Sequence, residues 1–141
     1  MITLKFEMKI NAPREKVWRA LWNDQNYRES TSVFTPGSYA KSDWKEGSRI
    51  DFLNPSGSGI FAIIDKLVPN TQMTFKHQGE IKEGKDMDGG EWKGALESYF
   101  LSEENGQTVL NTELQTTSDF QQYFKDVFPR AMEALKQIAE R

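Results

Sequence analysis

The chain has 141 residues, a formal net charge of −3 and no cysteine. With 18 Lys and Arg set against 21 Asp and Glu, and no basic run interleaved with aromatics, nucleic acid is not an expected partner. The lack of cysteine excludes disulfides, thiol catalysis and thiolate metal sites.

The first residues alternate instead of forming an apolar run, and no stretch is long enough to span a bilayer, so no membrane insertion and a cytoplasmic location are the expectation. The length suits one domain, residues 1–141, burying roughly two-thirds of its unfolded surface. Nine Phe, four Trp and four Tyr gather the apolar mass into a few large rings. Such rings suit a core that also lines a cavity, or one they fill completely.

Ile2, Leu4, Phe6, Met8 and Ile10 alternate with Thr3, Lys5, Glu7 and Lys9, which predicts a half-buried strand with its even positions inward. A helix follows, capped by Asn11 or Ala12, with Pro13 in its first turn and Val17, Trp18, Leu21 and Trp22 as its apolar face. Asn23-Asp24 ends it and caps a short helical turn through Tyr27. Between Ser30 and Gly47 only the turns Pro36-Gly37 and Glu46-Gly47 stand out. Strands are predicted over 49–53, 60–67 and 72–78, the last with Met73, Phe75 and His77 on one face. Residues 54–59 and Pro69-Asn70 supply the turns between them. The polar stretch Gly79 to Gly90 reads as a long exposed hairpin connection, with frayed strand at its start. Strands over 92–101 and 108–114 flank Asn105-Gly106, a strong hairpin turn signal.

The last stretch, Ser118 to Arg141, places Phe120, Phe124, Val127, Phe128, Ala131, Leu135 and Ile138 at helical spacing, with Ser118 and Asp119 as capping oxygens. Pro129 lies in its middle and predicts either a kinked helix or a break with Asp126 as a new cap; one kinked helix is the expectation. Ala131, Leu135 and Ile138 would then anchor the helix, and Phe120, Tyr123 and Phe124 would form a movable gate. Strands flanked by helices predict an α+β fold with helices on one face of an antiparallel sheet.

Several residue groups carry a resemblance over nearly the whole chain. They are Ile10-Asn11-Ala12-Pro13 with Val17-Trp18 and Leu21, then Trp44 to Ser48, Leu67-Val68-Pro69, Glu97 with Tyr99 and Leu101, Gly106 to Leu110, and Ala134-Leu135-Lys136 with Glu140. In these the chain resembles the START-like, or SRPBCC, superfamily, and more narrowly the family homologous to the ATPase activator of the large heat-shock chaperone. The resemblance implies a helix-grip fold, in which a curved antiparallel sheet of about seven strands wraps around a long C-terminal helix and two short helices follow the first strand. It also implies a cavity between sheet and helix that takes lipids, sterols, polyketides or other apolar molecules.

In such a fold Trp18, Phe52, Phe75, His77, Glu97, Tyr99, Phe120, Tyr123, Phe124 and Phe128 are the candidate ligand-binding residues, with Trp22 facing the same interior. His77, the only histidine, is either a strand residue satisfied by a neighbour or a polar anchor for a ligand. Glu97 shares the inward parity of Tyr99 and needs a partner, for which Arg49 and His77 are the candidates. The loop Ser56-Gly57-Ser58-Gly59 lacks the lysine and following helix of a phosphate loop and is a turn. No catalytic residue, metal or cofactor is predicted. The expected function is non-catalytic binding of a small apolar or amphipathic molecule. The alternatives are a protein-interaction module of the chaperone-activator type, using residues 79–90 and acting in the stress response, and a cyclase- or hydrolase-type enzyme working in the same cavity.

Overall fold

Alternation decides the first strand. In a computed structural model describing every residue, Met1–Arg141, β1 (Ile2–Ile10) buries Leu4 and Ile10 and exposes Thr3, Lys5, Glu7 and Lys9. Helix α1 (Arg14–Trp22) follows, with Pro13 as its N-cap in place of Asn11 or Ala12. Tertiary contacts claim both expected caps. The Asn11 N–H donates to Glu140 Oε2 at 2.8 Å, and the buried Ala12 carbonyl accepts from Thr108 Oγ1 at 2.7 Å. Asn23 does cap the next helix, accepting from the Gln25 and Asn26 N–H groups. That helix, α2 (Asp24–Thr31), runs past the expected end at Tyr27, with Arg28 paired to Asp24 one turn below.

The strands β2 (Tyr39–Ser42), β3 (Arg49–Leu53), β4 (Gly59–Val68), β5 (Gln72–Lys82), β6 (Lys85–Asp88), β7 (Leu96–Glu104) and β8 (Gln107–Thr116) pair antiparallel in one eight-stranded sheet with β1. Its order is β1-β8-β7-β5-β4-β3-β2, and β6 pairs with the far end of β5, beyond β7. Within the hairpin connection expected after Gly79, β5 runs on to Lys82 and pairs with β6 through a tight turn. Glu83 and Gly84 turn it at positive φ, and the Arg49 guanidinium clamps Asp86 at 2.7 and 2.8 Å. Asn105 and Gly106, both at positive φ, make the β7–β8 turn the sequence predicts. The strand expected from Trp92 begins only at Leu96, because Gly90–Trp92 forms a 3₁₀ turn. Extra residues at Asp65 on β4 and Gln78 on β5 bulge their strands and add curvature where the sheet wraps.

The long helix α3 (Gln121–Glu140) continues through Pro129 without a break. Ser118 and Asp119 do not cap it; they belong to a 3₁₀ turn, Ser118–Phe120, and Phe120 enters α3 with no side-chain cap. Its two halves differ in burial. Phe128, Met132, Leu135, Ile138 and Ala139 are buried, whereas Phe120 and Tyr123 are about half exposed, at 48% and 45%. Its C-terminal end is tied to both short helices: Arg141 donates to both Glu29 carboxylate oxygens, and Lys16 Nζ donates to the Arg141 carbonyl.

Two apolar clusters result. The larger joins α1 and α3 to β1, β7 and β8, through Leu4, Val17, Leu110 and Leu135 among others. The smaller, Ile50, Ala62, Ile64, Met73 and Phe75, lies on β3, β4 and β5. Trp18, Trp22 and Tyr99 pack against both. A helix cannot follow a curved sheet along its whole width, so space remains over the β3–β5 half.

Candidate functional site

That space is a cavity of about 510 Å³, open to solvent and bordered by 27 residues, 16 of them hydrophobic. Its volume falls within the usual range for small-molecule pockets, and its predominantly apolar wall suits a ligand with a hydrocarbon or ring body. Trp22, the last residue of α1, organises the deep wall. Its ring meets Tyr99 at 5.0 Å, Phe75 at 5.4 Å and Trp44 at 6.1 Å, with edge-to-face geometry toward the first two. From α3, Phe128 stacks on Phe6 at 4.8 Å and borders the cavity, while Phe120, Tyr123 and Phe124 stand at its mouth as a ring cluster.

A cluster of polar groups around Glu97 interrupts the aromatic part of this wall. On β7 the inward parity shared with Tyr99 points Glu97 into the cavity, opposite Phe75 of β5. Two positions on, His77 lies where β7 has ended and the loop takes over, its N–H donating to the Ala95 carbonyl. There His77 Nε2 reaches Glu97 Oε1 at 3.0 Å, and the Tyr99 hydroxyl donates to Glu97 Oε2. A carboxylate can only accept, so Nε2 carries the proton in this pair. His77 Nδ1 and Trp22 Nε1 are both buried with no hydrogen-bond partner.

The charge state of the cluster follows. Burial pushes the Glu97 carboxyl up, but the hydrogen bond and charge of His77, with the Tyr99 hydroxyl, outweigh it and hold it below the usual carboxylate range. Burial first, and then the Glu97 charge, push the Tyr99 and Tyr27 phenols above theirs. At neutral pH the cavity therefore holds an ionised carboxylate beside two neutral phenols. Such a cluster can orient a donor group on a ligand.

Of the residues predicted from sequence, Phe52, Phe75, His77, Glu97, Tyr99, Phe120, Tyr123, Phe124 and Phe128 all border the cavity. Trp18 does not, and this is a correction. Lying one helical turn before Trp22, it packs against the two core clusters and the edge of the Trp22 ring, 6.2 Å away. Arg49, one of two candidate partners for Glu97, lies instead on the outer face, bound to Asp51 and Asp86. Sequence reasoning missed Tyr27, Phe34 and Tyr39, which come from a segment without clear periodicity, and Trp92, which the 3₁₀ turn directs to the cavity. It also missed Glu80, because the bulge at Gln78 reverses the inward parity of β5 beyond it. A second depression, about 360 Å³, lies on the outer face between Thr3, Lys5, Ser98 and Glu113; with Leu96 as its one apolar wall it lacks a body-binding surface. No three His, Asp or Glu side chains converge to hold a metal ion, and no helix is long and apolar enough to cross a membrane.

A curved antiparallel sheet closed by a long C-terminal helix over an aromatic cavity defines a helix-grip protein of the START-like class. The structural comparisons agree. The Aha1 dimer protein from Colwellia psychrerythraea aligns with TM-score 0.76 and 23% identity, over 99% of this chain and 97% of that one. CalU16 from Micromonospora echinospora aligns with TM-score 0.70 and 20% identity, over 97% of this chain and 75% of that one. The AHSA1-like protein from Aeromonas hydrophila aligns with TM-score 0.72 and 14% identity, over 99% and 92%. At these identities the likeness establishes the fold alone. No curated protein matches the sequence. Residues 11–140 match the family described as activator of Hsp90 ATPase homolog 1-like protein, and the chain belongs to that family.

Proposed function

We propose that the protein binds, without transforming it, a small amphipathic molecule whose apolar body lies among the cavity rings and whose polar end meets Glu97, Tyr99 and Tyr27. The observation that carries this is an open cavity of about 510 Å³ walled by aromatics, with one ionised carboxylate set among them. A ligand covering about 200 Å² of apolar wall would gain roughly 5 kcal/mol before ordering costs, so micromolar binding is expected when a polar contact assists. Titration with the neutral dye Nile red, read by its own emission and by tryptophan quenching, tests this. Enhanced emission that saturates at one dye per chain, and is lost in Phe52→Ala, supports it. Absence of any enhancement at high micromolar concentration counts against it.

The family description favours a second reading, that of a chaperone-activating interaction module. Its natural surface is the β5–β6 hairpin, whose tip carries exposed charges and Met87 at 46% exposure. Stimulation of a chaperone ATPase that survives Phe52→Ala and fails when 83–87 are replaced by Gly and Ser would favour this second role.

A further inference from the structure

The cavity has a charge signature that its apolar wall conceals. Of its 27 bordering residues twelve are Phe, Tyr or Trp, two are Glu (Glu80 and Glu97), one is His77, and none is Lys or Arg. Both charged groups of fixed sign among the lining residues are therefore carboxylates, and no lysine or arginine of the wall faces them. Just outside it, Lys82 Nζ lies 3.8 Å from Glu80 and offsets part of that rim charge, and Arg28 pairs with Asp24 while lying over the Tyr39 ring at 5.0 Å; Glu97 is paired with neither.

From this wall we infer that the ligand is an organic cation, an ammonium group carried on an apolar body, with the charge placed between Glu97 and the surrounding ring faces. The inference rests on the ligand-binding reading above and narrows it to one chemical class. Aromatic faces attract cations through their quadrupole, most strongly where water is excluded, and the cavity presents indole and phenol rings beside the carboxylate. An anion such as a fatty carboxylate would be desolvated next to Glu97 with no basic side chain to receive it. The free acceptor agrees in sign, since Glu97 keeps lone pairs beyond the two hydrogen bonds it accepts. Glu80 lies nearer the rim, its side chain 44% exposed, where it would attract an approaching cation.

The test compares three probes of equal chain length below their micelle concentrations: decyltrimethylammonium, decanol and decanoate, by calorimetry at neutral pH. Decyltrimethylammonium should bind most tightly, exceeding decanoate by at least about tenfold, the scale of one charge reversal at partly screened range. Glu97→Gln and Glu80→Gln should each reduce the cation-to-decanol preference while leaving decanol within about twofold, and Glu113→Gln, on the outer face beside Lys5, should change nothing. Decanoate binding as tightly as the cation overturns the inference, as does an equal loss in Glu113→Gln, which would mark mere surface attraction; in both cases decanol binding leaves the ligand-binding reading standing. Failure of all three probes to bind overturns that reading, and the inference with it.

Discussion

Two phenylalanines on one helix should answer very differently to truncation. Phe128 is 6% exposed, stacked on Phe6 at 4.8 Å and within 6.5 Å of the Phe34 and Tyr99 ring centres. Phe120, at the entry to the same helix, is 48% exposed and meets only the Phe124 ring, at 6.4 Å. Phe→Ala in a packed core costs about 3–5 kcal/mol. Phe128 borders the cavity on one side, so its removal enlarges an existing space, and the low end, about 3 kcal/mol, is expected for Phe128→Ala. Half the Phe120 surface stays wet, so Phe120→Ala should cost about 1 kcal/mol or less. Urea unfolding followed by far-ultraviolet circular dichroism gives both values with one reference. Phe120→Ala should at the same time weaken Nile red binding, because it strips the cavity mouth while leaving the fold intact. Losses equal within about 0.5 kcal/mol would refute the division of α3 into a packed half and an open half.

Glu97 makes stability depend on pH at the acid end. Its folded-state pKa lies below the unfolded value, so its contribution is present above the ordinary carboxylate range and is lost as pH falls through the folded value. The urea midpoints of wild type and Glu97→Gln should therefore lie apart at pH 7 and converge in acid; a constant gap would contradict the assignment. Tyr27 and Tyr99 have the opposite sign, raised above the unfolded value, so the stability they contribute is intact below about pH 10 and falls as pH rises beyond it. In an alkaline absorbance titration two of the four tyrosines should ionise only late, and Tyr99→Phe should remove one late step. Asp86→Asn should leave the urea midpoint nearly unchanged, because the Arg49 clamp is 41% and 49% exposed on its two sides, yet it should speed hydrogen exchange across β6. Gly59→Ala should destabilise by more than about 2 kcal/mol, since an added Cβ would sit 1.8 Å from the Phe52 carbonyl oxygen; stability within error of wild type would mean that β3 and β4 separate more easily there than the structure allows.

How much was legible in the sequence differs from element to element. β1 was plain, because five apolar residues at period two leave one register for the buried face. The β7–β8 turn was equally plain, since Asn-Gly carries its geometry locally. The loop Asn54 to Gly59 behaved as local chemistry requires, with Asn54 Oδ1 accepting from Ser56 and Ser58. The helix starts were less legible. Pro13 caps α1 because Asn11 and Ala12 are held by Glu140 and Thr108, partners more than 90 residues away. The strand pairing within the hairpin connection after Gly79 was illegible for the same reason, since Arg49 on another strand holds Asp86 in place.

The sequence by itself determined that Phe52, Phe75, Tyr99 and Phe128 would face inward, because side-chain direction follows from a period of two or 3.6 within each regular element. It also determined that Glu97 would share the inward face with Tyr99 and would need a partner. Only the tertiary structure decided that the partner is His77 and not Arg49, because that choice depends on strand order and on β7 ending just before it. The bulge that turns Glu80 inward is a mismatch between two strands and has no signature in either one alone. The cavity belongs to the tertiary level as well. Its space is the misfit between a helix and a curved sheet, and its wall is gathered from α1, α2, six strands and α3, so no single segment announces it.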